Sequence, residues 1–491
     1  MAIYLGLDLG TSELKGTAIN DSGQVLASFS KQIPLISRQP DWVEQSPEFW
    51  WSSSLEILNL LNTKIDNSKV KAIGLSGQMH GLVTYNHKLS ALRRAIIWAD
   101  KRSTQEVEHI LNKIGRRQLY RLTANPVFTG FLLPSLLWLK RHEKEIYKQI
   151  HKISSPKDYL AFKLTDNLRS EPTDSLATAC YDYKKDQWSS QILKAFRLKQ
   201  SIFPEIKPTL ESYGGLSKKI AKITGIPSGT PVYGGSDQSM AAIGTGLILP
   251  GQASIAISTG GQFLVIAPKG LIDPRRRLHT LNHALPDIGL YMAATLSASL
   301  SLRWFKDQIT QQDCRYPEFL DGIKKIPPGC HDLFFLPFLA GERTPYFNPN
   351  LKASFFGLSI THKKAHLCRA IMEGVAFSMK DCLEVFNQLK LPIKSIILCG
   401  GGSQNPIWRQ ILVNVLNRPM TTINITNHSP FGAAVFAKFA QQGLDKLPQF
   451  YRKTIKTTDY LYPHEKKVQQ YQSLFTKYKQ LTKFSNHYCL P

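Results

Sequence analysis

Residues 3–19 read IYLGLDLGTSELKGTAI, and residues 253–267 read ASIAISTGGQFLVIA. In the first stretch the apolar run Ile3–Leu7 ends in Asp8, Gly10, Thr11 and Ser12, and a second apolar run follows from Leu14 to Ile19. Two short apolar runs about a polar glycine turn predict a β-hairpin. The second stretch repeats the design, with Ala253–Ile257, then Ser258, Thr259, Gly260 and Gly261, then Phe263–Ala267. Further along, each opening is followed by a strand that runs into glycines, first Ala72–Leu75 before SGQMHG, then Ser395–Leu398 before CGGGSQN. The same parts in the same order predict two related α/β domains facing each other across a cleft, where a ligand can be closed off from water.

A chain of 491 residues exceeds what one hydrophobic core organises, in keeping with two large domains. Leu249, Pro250 and Gly251 punctuate the chain after the Ser228–Leu249 segment, which sets expected domains at 1–249 and 250–450, followed by a helical C-terminal segment at 451–491. Between the landmarks lie amphipathic helices. Phe49, Trp50, Leu55, Leu58 and Leu61 recur at helical spacing from Pro47, with the Trp50–Trp51 pair expected in the core. Val468, Tyr471, Phe475, Tyr478 and Leu481 share one face of a terminal helix that carries lysines opposite.

Composition excludes several classes. A hydrophobic fraction of 43% and a charged fraction of 20% are those of an ordinary globular chain. The longest apolar runs fall short of a membrane span, and MAIYLGLDLG lacks the basic start and cleavage site of a signal peptide, so the expected location is the cytoplasm. Cys180, Cys314, Cys330, Cys368, Cys382, Cys399 and Cys489 are scattered without CxxC spacing, which predicts reduced thiols. The formal charge of +25 is spread along the chain without an aromatic-interleaved patch, so no nucleic-acid partner is expected.

Gly10, Thr11 and Ser12 offer turn N–H groups and hydroxyls to a phosphate, beside Asp8 as a Mg²⁺ partner acting through water; the competing reading is a plain polar turn. Thr259, Gly260 and Gly261 form a second such cradle. Gly400, Gly401 and Gly402 follow a strand and precede a helix starting near Pro406, which would let a flat ring lie on the backbone. A bare strand-to-helix turn is the alternative there, and GGGSQNP lacks the GxGxxG spacing of a dinucleotide site.

Asp237, in GGSDQSMAAIGTG, is expected at a helix start within the cleft, as a carboxylate set against a substrate hydroxyl or, on the plainer reading, as a buried helix cap. Gln238 beside it can meet another hydroxyl. Gln78, Met79 and His80 combine an apolar wall with polar groups, as a polyol pocket requires, although a lone histidine is more often structural.

The motifs DLGTSELK (8–15), SGQMHG (76–81), GGSDQ (234–238), GERTP (341–345), FFGLSITHKKAHLCRAIMEG (355–374) and CGGGSQNPIWRQI (399–411) together resemble the FGGY carbohydrate kinases across nearly the whole chain. The resemblance implies two ribonuclease H-like domains of the actin and hexokinase type, with ATP and Mg²⁺ in the cleft and closure of the lobes during turnover. It implies Asp237 as catalytic base and, with Asp8, as metal ligand. For ATP it implies Gly10, Thr11, Ser12, Lys15, Thr259, Gly260, Gly261, Gly400, Gly401, Gly402 and Asn405. Gln78, Met79, His80, Asp237 and Gln238 would bind the sugar. QMHG is similar to the xylulose kinase branch, which implies D-xylulose phosphorylated on its 5-hydroxyl; ribulose, erythritol and glycerol are alternative acceptors, and a non-catalytic nucleotide-binding scaffold is a remote one. Dimers are common in the family, which makes a homodimer the implied assembly. Two departures stand out: Ser135 lies where the family usually has Lys, and the second cradle reads STGG rather than GTS.

Overall fold

Two sheets built to one plan organise the chain in a computed structural model that describes residues 1–488. The first runs, edge to edge, through Gly214–Gly215, Pro231–Ser236, Val70–Gly77, Ile3–Leu9, Glu13–Asn20 and Val25–Gln32. Ile3–Leu9 is antiparallel to Glu13–Asn20 and parallel to Val70–Gly77, which is in turn parallel to Pro231–Ser236. The second sheet runs through His279–Asn282, Ile288–Thr295, Gly261–Pro268, Gln252–Ile257, Ser395–Cys399, Met420–Ile423 and Thr457–Leu461. Gln252–Ile257 is antiparallel to Gly261–Pro268 and parallel to Ser395–Cys399. Each sheet therefore contains the same five strands in the spatial order 3-2-1-4-5, as in ribonuclease H-like domains. Every residue of Ile3–Leu9 is buried, because helices cover both faces of its sheet.

The helices that follow the fifth strand of each unit are exchanged. Asp237–Gly244 leaves the first sheet but sets Ala242 among Leu264, Ile266, Leu290 and Met292 of the second. His428–Gln442 leaves the second sheet and sets Phe431, Ala433 and Phe436 among Tyr4, Ile19 and Ala72 of the first. The two helices cross where a Cβ on Gly244 would lie 1.9 Å from the His428 carbonyl oxygen and one on Gly432 would lie 1.9 Å from that of Met240. Gly6 and Gly74 open the first sheet for the same helix, since a Cβ at either would lie 1.8 Å from a carbonyl oxygen of Pro430 or Ala433.

Some local expectations change. Helix Pro47–Asn62 starts where the Ser46 hydroxyl accepts from the Phe49 N–H at 3.2 Å. Only Trp50 of the tryptophan pair lies in the core; Trp51, about 100° round the helix, is half-buried beneath the Lys163 ammonium. The segment from 451 is not wholly helical: Thr457–Leu461 pairs with Met420–Ile423 before helix Glu465–Tyr488 begins. That helix packs Tyr471, Phe475 and Tyr478 against Phe377. The expected boundary near 249 falls in the turn between Gly244 and Gln252. Among the described residues six cysteines are free, and Cys489 lies outside them.

Candidate active site

Parallel strands end together, so residues distant in sequence meet at one edge of each sheet. Asp8, at the end of the first strand, stands opposite Lys15 across the hairpin and opposite Ser76 across the parallel ladder. The Ser76 hydroxyl donates to Asp8 Oδ1 at 2.6 Å. Two strands away Asp237 opens its helix, with Oδ1 accepting from the Gln238 N–H at 2.7 Å. Burial and then the nearby Asp8 charge push the Asp237 carboxyl up to about 7, against the Gln238 hydrogen bond. Burial likewise raises Asp8, opposed by Ser76 and Lys15. A buried carboxyl raised by the charge of a second one nearby marks a place where a cation could be held. Among the described residues no cluster of three acidic, histidine or cysteine side chains gathers there, so a Mg²⁺ would draw its other ligands from water and phosphate.

The start of the Asp237 helix is held from below. The Thr173 hydroxyl accepts from the Ser236 N–H at 2.8 Å and donates to Glu171 at 2.7 Å. Glu171 in turn meets the wholly buried Lys157, 3.1 Å away, which also contacts Asp158 and the Tyr213 hydroxyl. The buried charges are paired, as burial demands.

The residues expected to meet a sugar divide in a way their sequence does not reveal. Gln78 is spent inside the protein, donating to Gln45 Oε1 at 2.8 Å and accepting from the Thr11 hydroxyl at 3.3 Å. Its amide thus fixes the Thr11 turn. Met79, 5% exposed, packs with Ala177, Ala242 and Leu264 and shows the cleft little more than an edge. His80 is displayed. Its φ of 74° turns the ring onto Phe131, with centroids 3.9 Å apart, and Nδ1 lies 2.6 Å from the Ala177 carbonyl oxygen. A carbonyl only accepts, so Nδ1 carries the proton. Burial outweighs that hydrogen bond and lowers the imidazole to about 4, leaving a neutral ring with a lone pair on Nε2. The Gln238 side chain is half-buried beside Asp237.

Sequence reasoning missed Trp98. Its indole N–H donates to the Thr11 hydroxyl at 2.8 Å, while the residue stays 41% exposed, a flat apolar wall beside the first turn. IIWADKR carries no periodic signal that marks it. Ser299 was also missed. Its N–H donates to the Ser258 carbonyl at 2.8 Å and its hydroxyl borders Gly402, where a Cβ would come within 2.9 Å.

The second cradle and the triple-glycine turn form one surface. A Cβ at Gly260 would lie 2.5 Å from the Thr295 carbonyl oxygen, and one at Gly400, whose φ is 84°, would lie 2.7 Å from that of Ile257. Gly401 differs, because a Cβ there would meet nothing within 4 Å. No internal packing requires its bareness, which leaves a flat backbone face open. Asn405 accepts with Oδ1 from the N–H groups of Ile407 and Trp408, so its oxygen is a helix cap. Ser135 is buried within helix Leu132–His142 and its hydroxyl has no partner, so this position lies in a helical core rather than in the cleft.

The family models for the N-terminal and C-terminal domains of the FGGY family of carbohydrate kinases match residues 3–244 and 253–441. This chain belongs to that family. As an FGGY kinase it is 34% identical to the xylulose kinase of Staphylococcus xylosus over 480 residues, covering 98% of this chain and 99% of the relative. A ligand-bound xylulose kinase from Lactobacillus acidophilus superposes with a TM-score of 0.92 at 27% identity, covering 98% of each chain. A gluconate kinase from the same organism superposes with a TM-score of 0.93 at 27% identity, covering 99% of this chain and 98% of the other. The FGGY fold accounts for the duplicated sheets, and membership in a kinase family implies the use of ATP. No helix among the described residues is long and apolar enough to cross a membrane.

Proposed function

We propose that this FGGY kinase transfers the γ-phosphoryl group of ATP to the 5-hydroxyl of D-xylulose, giving D-xylulose 5-phosphate and ADP. The observation that carries the reading is the Asp237 carboxylate, raised to about 7 beside Asp8 at the start of a helix shared between the lobes. Full-length kinship with xylulose kinases supports the choice of sugar. Asp237 orients the acceptor hydroxyl and takes its proton as the new P–O bond forms, a task suited to an acid whose pKa lies near neutrality. His80 Nε2 accepts a hydrogen bond from a sugar hydroxyl, Gln238 meets another, and Trp98 walls the pocket.

Thr11, Ser12 and Lys15 on one side, and Thr259, Gly260 and Gly261 on the other, hold the phosphates, with the adenosine against Gly400, Gly401 and Gly402. Asp8 and Asp237 would hold Mg²⁺, which would supply neutralisation of the phosphate charge. Closing the lobes excludes water from the reacting groups. A homodimer in the cytoplasm completes the proposal, and sedimentation of the purified chain tests its assembly.

The deciding experiment is coupled ADP release across a panel of pentuloses, glycerol, erythritol and gluconate. D-xylulose is expected to give the highest kcat/KM. Turnover without that preference removes the substrate assignment and leaves the kinase.

A further inference from the structure

GERTP enters the site in a way its sequence does not announce. Its arginine, Arg343, extends from the second lobe to the sugar side of the first, with Cζ 5.5 Å from the Phe128 ring centroid. Phe128 packs at 5.8 Å on Phe131, the ring on which His80 is stacked, and at 6.1 Å on Phe347 of the second lobe. The Arg343 charge reaches both His80 and His279 and disfavours a proton on either. The guanidinium thus lies over the Phe128 ring, within electrostatic reach of two neutral imidazoles.

Among the described residues no side-chain or backbone acceptor takes a hydrogen bond from the Arg343 guanidinium, although the Glu342 charge lies nearby. Among the described residues Arg343 donates only from its backbone, to Glu342 Oε1 at 2.7 Å. Glu342 is otherwise engaged, accepting from the Leu296 N–H at 3.1 Å and from the Ser378 hydroxyl at 3.4 Å. His279 is 5% exposed and its Nε2 is buried without a partner. Glu342 supplies a neighbouring charge but no hydrogen bond to the half-buried guanidinium, and a buried ring nitrogen without a hydrogen bond is costly.

We infer that Arg343 is the specificity-determining residue for the ketose group, donating hydrogen bonds to the C2 carbonyl oxygen and the C1 oxygen of the acceptor. The inference rests on D-xylulose as substrate. With the 5-hydroxyl at Asp237 and His80 along the carbon chain, the end that remains is the hydroxymethyl ketone. Arginine only donates, and a carbonyl oxygen only accepts. A pentitol presents a hydroxyl at C2, which can also accept but must turn its proton away from the cation and sits on a tetrahedral rather than a planar carbon, so it matches the guanidinium less well. Because Arg343 comes from the second lobe and His80 from the first, the ketose pocket is complete only when both lobes close on it.

The test compares D-xylulose with xylitol, as substrate or competitive inhibitor, on the full chain and on Arg343→Met, Arg343→Gln and Arg343→Lys. Loss of a charged hydrogen bond is expected to lower kcat/KM for D-xylulose roughly 10- to 100-fold, mainly through KM, in the Met and Gln variants. The constant for xylitol is expected to move less than about 3-fold on the same reasoning, and Lys should restore part of the loss. ATP affinity without sugar, and the melting temperature, report any general damage; should Met not fold, the Gln and Lys variants carry the comparison. Equal effects on ketose and pentitol, or no effect on either, overturn the assignment while leaving the kinase reading intact. A wild-type chain that phosphorylates other sugars but not D-xylulose overturns both.

Discussion

At Asp237 two effects act in the same direction. Burial and the facing Asp8 both favour the protonated acid, and one backbone hydrogen bond resists them. Asp237→Asn keeps the shape and that contact but removes the proton acceptor. It is expected to bind ATP as the parent does while losing roughly 10²- to 10⁴-fold in kcat, measured by single-turnover transfer to D-xylulose; near-normal turnover would exclude Asp237 as the base. The place of Asp237 at a helix start was legible in the sequence, because glycines precede it and small residues follow. Gln78 was misread, since its partners Thr11 and Gln45 lie 67 and 33 residues away. Trp98 gave no signal because it belongs to no periodic run, and GERTP marked the family without showing that Arg343 faces the His80 side of the other lobe.

At the scale of elements, the strands were readable because fully buried strands appear as unbroken apolar runs ending in glycine turns. The exchange of helices was not. Gly244 and Gly432 look in sequence like ordinary helix-weakening residues, and only the crossing shows that each makes room for the other helix's backbone. Gly244→Ala places a methyl where the His428 carbonyl stands, and the helices must part to admit it. We expect a loss of about 1–3 kcal/mol in urea unfolding, the usual cost of forcing a methyl into a filled contact. An unchanged midpoint would show that the crossing is looser than described.

For the molecule as a whole, the imidazoles buried between the lobes set an acid limit. His283 donates from Nε2 to the Leu247 carbonyl, 2.9 Å away, and accepts at Nδ1 from the Leu285 N–H at 3.0 Å, so no lone pair remains for a second proton. Burial lowers it to about 4, and lowers His279 to about 3, from an ordinary value of 6.5. The unfolded chain takes up these protons near 6.5 while the folded chain resists them, so their contribution is intact above that pH and is lost as the pH falls towards 4. Each proton adds a slope of about 1.4 kcal/mol per pH unit. Denaturant unfolding at pH 7.5, 6 and 5 is expected to show the decline, with His283→Gln reducing the slope by about one proton; a flat profile would contradict the buried neutral state. The duplication was legible at this scale because both halves open alike, whereas the shared middle was hidden, being made of parts drawn from opposite ends of the chain.

The helix that starts at Asp237 ends at the glycine where it crosses its counterpart. The crossing spans Met240 to Gly244, so the arm that carries Asp237 is about 5–10 Å long, and a tilt of some 10° would swing the carboxylate by about 1–2 Å, more than a hydrogen bond tolerates. The aim of the acid and the angle between the lobes are therefore one mechanical variable, and whatever fixes either fixes both.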